Sequence, residues 1–341
     1  MRAILLVAVA ALVISCKREV PCSEPAPARP AARADFAPAS AAGGANPAPA
    51  PAPSSTAPPG GVVPNVRVAY VEPEDPSHRP CYEELRARHV LEQAAEAIAS
   101  IPLPKQLLLQ FKGCDGDSNA YYDEETATVT FCYEYLSEIR QMAVQHLVDG
   151  KYVQFPGSDD RIPFMEAIEG PVAFVLFHEM GHAIYHLRRV PVLGRQEDAA
   201  DYFAAAALLR LGKEKMMCHL RGAAWAYAVG AMKMAPDLTD FADSHSLDSQ
   251  RYFNILCLAY GSDPAHFAPI VKRAKLPQDR VDDCIWEYRQ VRYALDKLVM
   301  PSGDVAHLDD VQITHSARYD YSPSRGRRAP PREHPEPGGG R

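Results

Sequence analysis

Residues 169–189 read EGPVAFVLFHEMGHAIYHLRR and residues 195–212 read RQEDAADYFAAAALLRLG; these two stretches decide the fold. The first is apolar almost all round its early half, as a buried helix must be. Pro171 suits the start of that helix, where a missing N–H costs nothing. The second is rich in strong helix formers and is closed by Gly212.

Working outward, EELRARHVLEQAAEAIAS (83–100) repeats apolar positions at near-helical spacing and predicts one helix, with Leu85, His89, Ala95 and Ile98 on its inner side. QLLLQFK (106–112) predicts a short strand. TATVTFCYEYL (126–136) predicts a second, joined to the first through GCDGDSNAYYDEE. Beyond 195–212, SQRYFNILCLAYG and DRVDDCIWEYRQVRYALDKLV predict further helices. With no internal repeat between the termini, the body is one α+β domain over residues 66–302, mostly helical with a small N-terminal β-sheet.

In a helix, residues four apart lie one turn from each other on the same face, so His178 and His182 present two imidazoles to a single ion. Glu179 sits about 100° round from His178, where a base for water activation belongs. A third ligand follows in EDAAD (197–201): Glu197 completes a His2Glu set of the kind that holds zinc, one ion per chain, and Asp201 on the same helical face can take the outer N–H of a ligand histidine, His178. Asp198 is the competing third ligand; the i, i+4 relation of Glu197 and Asp201 favours Glu197. His186 is excluded by length, lying eight residues and about 12 Å along the axis from His178, and is read as structural.

The ends of the chain differ from the body. Residues 1–15 place Arg2 before a short apolar run, a signal peptide too short for a membrane span. The run ends in Val13-Ile14-Ser15-Cys16, which resembles the bacterial lipobox and makes Cys16 the expected lipidation site. Residues 16–65 are dominated by Pro and Ala and cannot bury enough surface to order themselves, so they read as a disordered tether reaching on the order of 100 Å. Residues 303–341 read as a disordered tail. The chain is therefore expected in the bacterial cell envelope, lipid-anchored in the outer membrane. A net charge of −7 and the lack of a basic, aromatic patch exclude nucleic acid as a partner.

Export makes disulfides the expected state of the six body cysteines, for which fifteen pairings exist. Cys114 with Cys132 across the strand region and Cys257 with Cys284 on successive helices are the favoured pairs; Cys81 with Cys218 is a weaker third.

HEMGH with EDAAD resembles the gluzincin metallopeptidases, and the body is similar to a bacterial family of putative metallopeptidases through CDGDSNAYYD, TVTFCYEYL, FHEMGHAI, GRQEDAADYF and HSLDSQRYFNILCLAYGSDP. The resemblance implies a zincin-like domain and hydrolysis of peptide bonds in a peptide or protein substrate. SNAYYD is similar to the edge strand that pairs with extended substrate in thermolysin-type peptidases, which implies substrate contact at Asn119 and Ala120. For a donor to the developing oxyanion, His245 is the candidate, with Arg251 positioning it or the substrate, and Tyr185 and Tyr202 as rivals. A second reading of the same residues is a catalytically inactive, zinc-stabilised binding lipoprotein of the envelope.

Overall fold

The computed structural model describes residues 65–232 and 236–299, apart from the side chains of 213 and 214. The signal segment, Cys16, all but the last residue of the tether and the C-terminal tail lie outside these residues.

The described chain is mixed α+β. Strands β1 (Val66–Tyr70), β2 (Leu107–Lys112), β3 (Ala120–Asp123) and β4 (Thr128–Cys132) form a sheet in the order β1-β2-β4-β3. The first three positions in that order are parallel, and β3 runs antiparallel to β4 at the edge. Every residue of β4 is buried, as expected for a strand covered on both faces. The two strands predicted from the sequence, β2 and β4, are thus adjacent but parallel. The intervening segment supplies β3 as the true hairpin partner of β4 before the chain re-enters the sheet. The second strand is also shorter than its β-rich composition predicts, because helix α3 (Tyr133–Gln145) begins directly after Cys132.

The helix predicted over 83–100 is broken in two, α1 (Arg79–Ala87) and α2 (Val90–Ala97), by His89 in the left-handed region at φ 54°. His89 is not an inner position. Arg88 is drawn inward instead, to Glu169 at 2.7 Å and Glu84 at 3.1 Å, and the break lets Leu85 and Leu91 both reach the core.

A small antiparallel sheet, β5 (Leu147–Val148), β6 (Tyr152–Gln154) and β7 (Arg161–Pro163), leads into the central helix α4 (Glu166–Arg188). It starts earlier than Pro171 suggests, so Pro171 sits inside it. Helices α5 (Gln196–Leu209), α6 (Lys213–Ala231) and α3 pack on α4, as do β3 and β4; α7 (Asp248–Ser262), α8 (Pro264–Arg273) and α9 (Gln278–Leu298) close the far side. The α4–α6 crossing is close. A Cβ on Gly222 would lie 1.9 Å from the Glu166 carbonyl oxygen, and one on Gly170 would lie 2.5 Å from the Gly222 Cα. Trp225, Phe174 and Ile184 fill the surrounding core.

Disulfides join Cys114 to Cys132 and Cys257 to Cys284. The third pairing is not made: Cys81 keeps its thiol, buried, while Cys218 is in a disulfide of its own. None of the described helices is long and apolar enough to cross a membrane.

Candidate metal centre

The i, i+4 spacing on α4 turns His178 and His182 the same way, and their Nε2 atoms stand 3.1 Å apart. Gly181, between them, lets α5 approach; a Cβ there would already be 3.3 Å from the Ala200 Cα. That approach brings Glu197, in the first turn of α5, to the imidazoles: its Oε2 lies 3.1 Å from the Nε2 of both. Three ligand atoms held about 2.0–2.1 Å from one ion at tetrahedral angles would be roughly 3.3 Å apart. The triangle of His178, His182 and Glu197 fits that spacing.

The tautomer is arranged for it. His178 Nδ1 faces Asp201 Oδ1 at 2.7 Å, so with an ion bound the Nδ1–H would stay on the carboxylate and the Nε2 lone pair would be free for the ion. Asp201 is held in turn by Arg251, through Nε to Oδ2 at 2.7 Å and Nη2 to Oδ1 at 2.6 Å. Burial would raise the Asp201 pKa, but Arg251 and His178 hold it well below the usual carboxylate range. Arg251, expected as a substrate contact, is instead buried, its guanidinium filled by Asp201 and stacked 4.4 Å from the Tyr227 ring centroid. A permanent cation serves better against a buried carboxylate than in a cleft, because either charge alone in the interior is costly.

Glu179 is fully buried beside the triangle, its Oε1 4.0 Å from His178 Nε2 and without a hydrogen-bond partner. Burial raises its pKa against the pull of the histidines. For Glu197, burial also acts upward but is overcome by hydrogen bonds from His178, His182 and His245, which keep it ionised far below the normal range. An ionised carboxylate among converging ring nitrogens, with an orphaned carboxylate oxygen alongside, is a donor set suited to a divalent cation.

His245 arrives from the loop before α7. Its Nε2 is 2.9 Å from Glu197 Oε2 and its ring lies 19° from parallel to that of His178. Three residues that sequence reasoning missed hold it there. Arg195 donates to the His245 carbonyl oxygen at 3.1 Å, to Ser246 Oγ at 2.9 Å and to Asp198 Oδ2 at 3.1 Å, and Ser246 donates to Asp198 Oδ1 at 2.7 Å. Asp198, the competing third ligand, is occupied in this strap. Asp243 accepts from the His245 backbone N–H at 2.7 Å and faces its Nδ1 at 3.3 Å. Only the Asp two residues before His245 left a readable signal.

The family comparison can now be read on this geometry: a family model described as "Putative metallopeptidase" matches residues 70–299. The chain belongs to that putative metallopeptidase family. Comparison with curated proteins and with solved structures found no match. The matched span in this metallopeptidase-family chain includes β3 and every residue of the cluster.

The remaining candidates are placed as follows. Tyr185 donates its hydroxyl to the Ala199 carbonyl oxygen at 2.9 Å. Tyr202 is half-buried, its phenol pushed up to about 12 mainly by burial. His186 stands apart from the triangle and is hydrogen bonded to Tyr122 Oη on β3 at 2.9 Å. Asn119 precedes β3: its carbonyl oxygen accepts from Cys132 N at 3.0 Å, and its Oδ1 accepts from Ala120 N at 2.8 Å. Because hydrogen-bonded and non-bonded pairs alternate along an antiparallel ladder, Ala120 and Tyr122 turn their backbone groups away from β4; Ala120 is buried there with its N–H already taken by Asn119, and Tyr122 is the more open of the two.

Proposed function

We propose that the protein is a zinc-dependent metallopeptidase that hydrolyses peptide bonds in peptide or protein substrates, exported and held at the bacterial outer membrane by a lipid on Cys16. The observation that carries the reading is Glu179: a buried carboxylate with an unpartnered oxygen, beside three converging ligand atoms. His178, His182 and Glu197 would hold the zinc. A bound zinc supplies Lewis acidity, making water acidic enough to deprotonate near neutral pH and a carbonyl more electrophilic.

The chain's own residues do the rest. Glu179 takes the proton of the attacking water and passes it to the leaving amine, a role that burial suits by raising its basicity. His245 donates through Nε2 to the oxygen on which negative charge develops. Asp201, backed by Arg251, keeps His178 in the ligating tautomer. The edge strand β3, which Asn119 and Ala120 lead into, takes an extended substrate by strand addition at Tyr122, whose backbone turns away from β4.

The second reading, an inactive zinc-stabilised binding protein, draws on the same His245. With Nε2 2.9 Å from Glu197, it could close the site as a fourth ligand, the arrangement of structural zinc sites. Zinc content and cleavage of a mixed peptide library, measured on the protein and on Glu179→Gln, separate the two. One zinc in both with cleavage reduced about 10²- to 10⁴-fold in the variant supports the peptidase. Zinc in both with cleavage in neither supports the binding protein, and equal cleavage by both removes Glu179 from the mechanism.

A further inference from the structure

His186 stands one turn beyond His182, about 6 Å along the axis of α4, and lines a groove that the metal centre does not use. This groove, of ≈ 720 Å³, lies between residues 186–189 at the end of α4 and residues 102–105 ahead of β2. Three cations, Lys105, Arg188 and Arg189, stand in its walls, and no carboxylate does. None of the three makes an ion pair among the described residues. Arg188 is nonetheless held in place: its Nη1 donates to the Pro102 carbonyl oxygen at 2.7 Å and so ties one wall to the other. Glu124, beyond the end of β3, faces His186 Nε2 at 4.0 Å and reaches none of the three cations.

The groove continues the line of β3. Tyr122 Oη is hydrogen bonded to His186 Nδ1 at 2.9 Å, so the Tyr122 side chain lies on the α4 side of the sheet. Residues directly opposite each other on neighbouring strands put their side chains on the same face. A peptide residue paired with the outward backbone of Tyr122 therefore sends its own side chain to the α4 side, next to His186 and the mouth of the groove. From His182 to Arg189 is about 10 Å along the helix axis, the span of about three extended residues.

We propose that this groove receives an acidic side chain of a peptide bound along β3, so that the substrates are extended peptides with Asp or Glu about three residues from the bond that is cut. The proposal rests on the peptidase reading and names its substrate class. Lys105, Arg188 and Arg189 are the specificity-determining residues. A chain of net charge −7 repels acidic peptides at long range, so any preference for them has to arise locally, where positive charge is concentrated without a counter-ion.

The test is fluorescence anisotropy on the full chain carrying Glu179→Gln, with a pair of alanine-rich peptides that differ only in having Glu or Gln at matched positions on both sides of the centre. The Glu peptide should bind about tenfold tighter, two exposed charge pairs at about threefold each, and the parent should show the same ratio in kcat/KM. The preference should shrink as ionic strength passes about 0.1 M, where charges about 10 Å apart are screened. Lys105→Gln combined with Arg189→Asn should bring the two affinities together; both positions are exposed, and Asn suits the left-handed backbone of residue 189. Equal affinity for the two peptides, no measurable affinity for either, or a preference that survives the double variant overturns the proposal. If equal affinity is joined by cosedimentation with anionic phospholipid vesicles that the double variant loses, the groove faces lipid instead. A Glu preference in binding with no cleavage by the parent keeps the groove and removes the peptidase; cleavage of both peptides alike keeps the peptidase and removes this role of the groove.

Discussion

Arg251 and Asp201 meet in the interior through two hydrogen bonds of 2.7 and 2.6 Å, and the same Asp201 oxygen that accepts from Arg251 Nη2 also faces His178. The arginine neutralises the carboxylate that orients His178. Replacing Arg251 with Leu leaves Asp201 buried without its arginine counter-charge, which should lower unfolding free energy by about 3–5 kcal/mol and zinc affinity by about 10- to 100-fold. Urea denaturation and competition with a zinc indicator check the two effects. Arg251→Lys should recover only part of either, since an ammonium cannot reproduce the two-pronged contact.

Arg195 touches neither the ligand triangle nor the proposed substrate edge, yet it fastens the backbone of His245 to the turn that carries Glu197. Arg195→Ala should leave zinc stoichiometry at one and KM nearly unchanged while reducing kcat by about 10- to 100-fold, the scale of a displacement of about 1 Å in a catalytic group. Steady-state kinetics on a fluorogenic peptide tests this. A fall in zinc content instead would make Arg195 a support of the ligands rather than of His245.

Two glycines set the distance between α4 and α6. Because a methyl on Gly222 would strike the Glu166 carbonyl oxygen, which belongs to backbone and cannot swing aside, Gly222→Ala should destabilise the fold at or above the upper end of the range of about 1–3 kcal/mol for overpacking. Gly194→Ala is a useful contrast. It has open space around it but a φ of 99°, so its cost is conformational and should not disturb the helix crossing. Thermal melts with near-ultraviolet circular dichroism distinguish the two.

His219 on α6 is completely buried with neither ring nitrogen hydrogen bonded, and burial, followed by the nearby Lys215, brings its pKa down to about 4. The folded protein therefore keeps this histidine neutral where the unfolded chain, with a pKa near 6.5, binds a proton. Its contribution to stability is complete above about 6.5 and is lost as the pH falls toward about 4, at up to about 1.4 kcal/mol per pH unit. Glu169, whose pKa rises from 4.5 to about 6 on folding, slopes the other way between those values. Comparing His219→Leu with the parent by denaturation from pH 7 to 4.5 isolates the histidine: the variant's stability should decline less.

What the sequence made legible was local. His178, Glu179 and His182 are four residues apart at most, and Glu197 and Asp201 share a single turn, so helical geometry alone put them on common faces. The break at His89 was invisible because it is enforced by Arg88 reaching Glu169, eighty-one residues on. The parallel pairing of β2 with β4 depends on where the chain crosses, not on the composition of either strand. Arg251 read as a group positioning His245 or the substrate because its carboxylate partner lies fifty residues earlier; the Arg195 strap spans a similar gap and carries no pattern of its own. Cys81 and Cys218, paired only by elimination, show that leftover residues are weak evidence for each other.

The order in which the chain supplies its parts has a consequence for biogenesis. The three side chains proposed as ligands all fall between residues 178 and 197 on two consecutive helices, whereas His245 and Arg251 come later, fifty residues after Arg195 and Asp201 respectively. Since chains emerge from the N-terminal end, an ion could be captured by α4 and α5 before the groups that tune it exist. On the proposed reading, a nascent molecule would carry its metal before it could cleave anything, and the docking of α7 would complete the site.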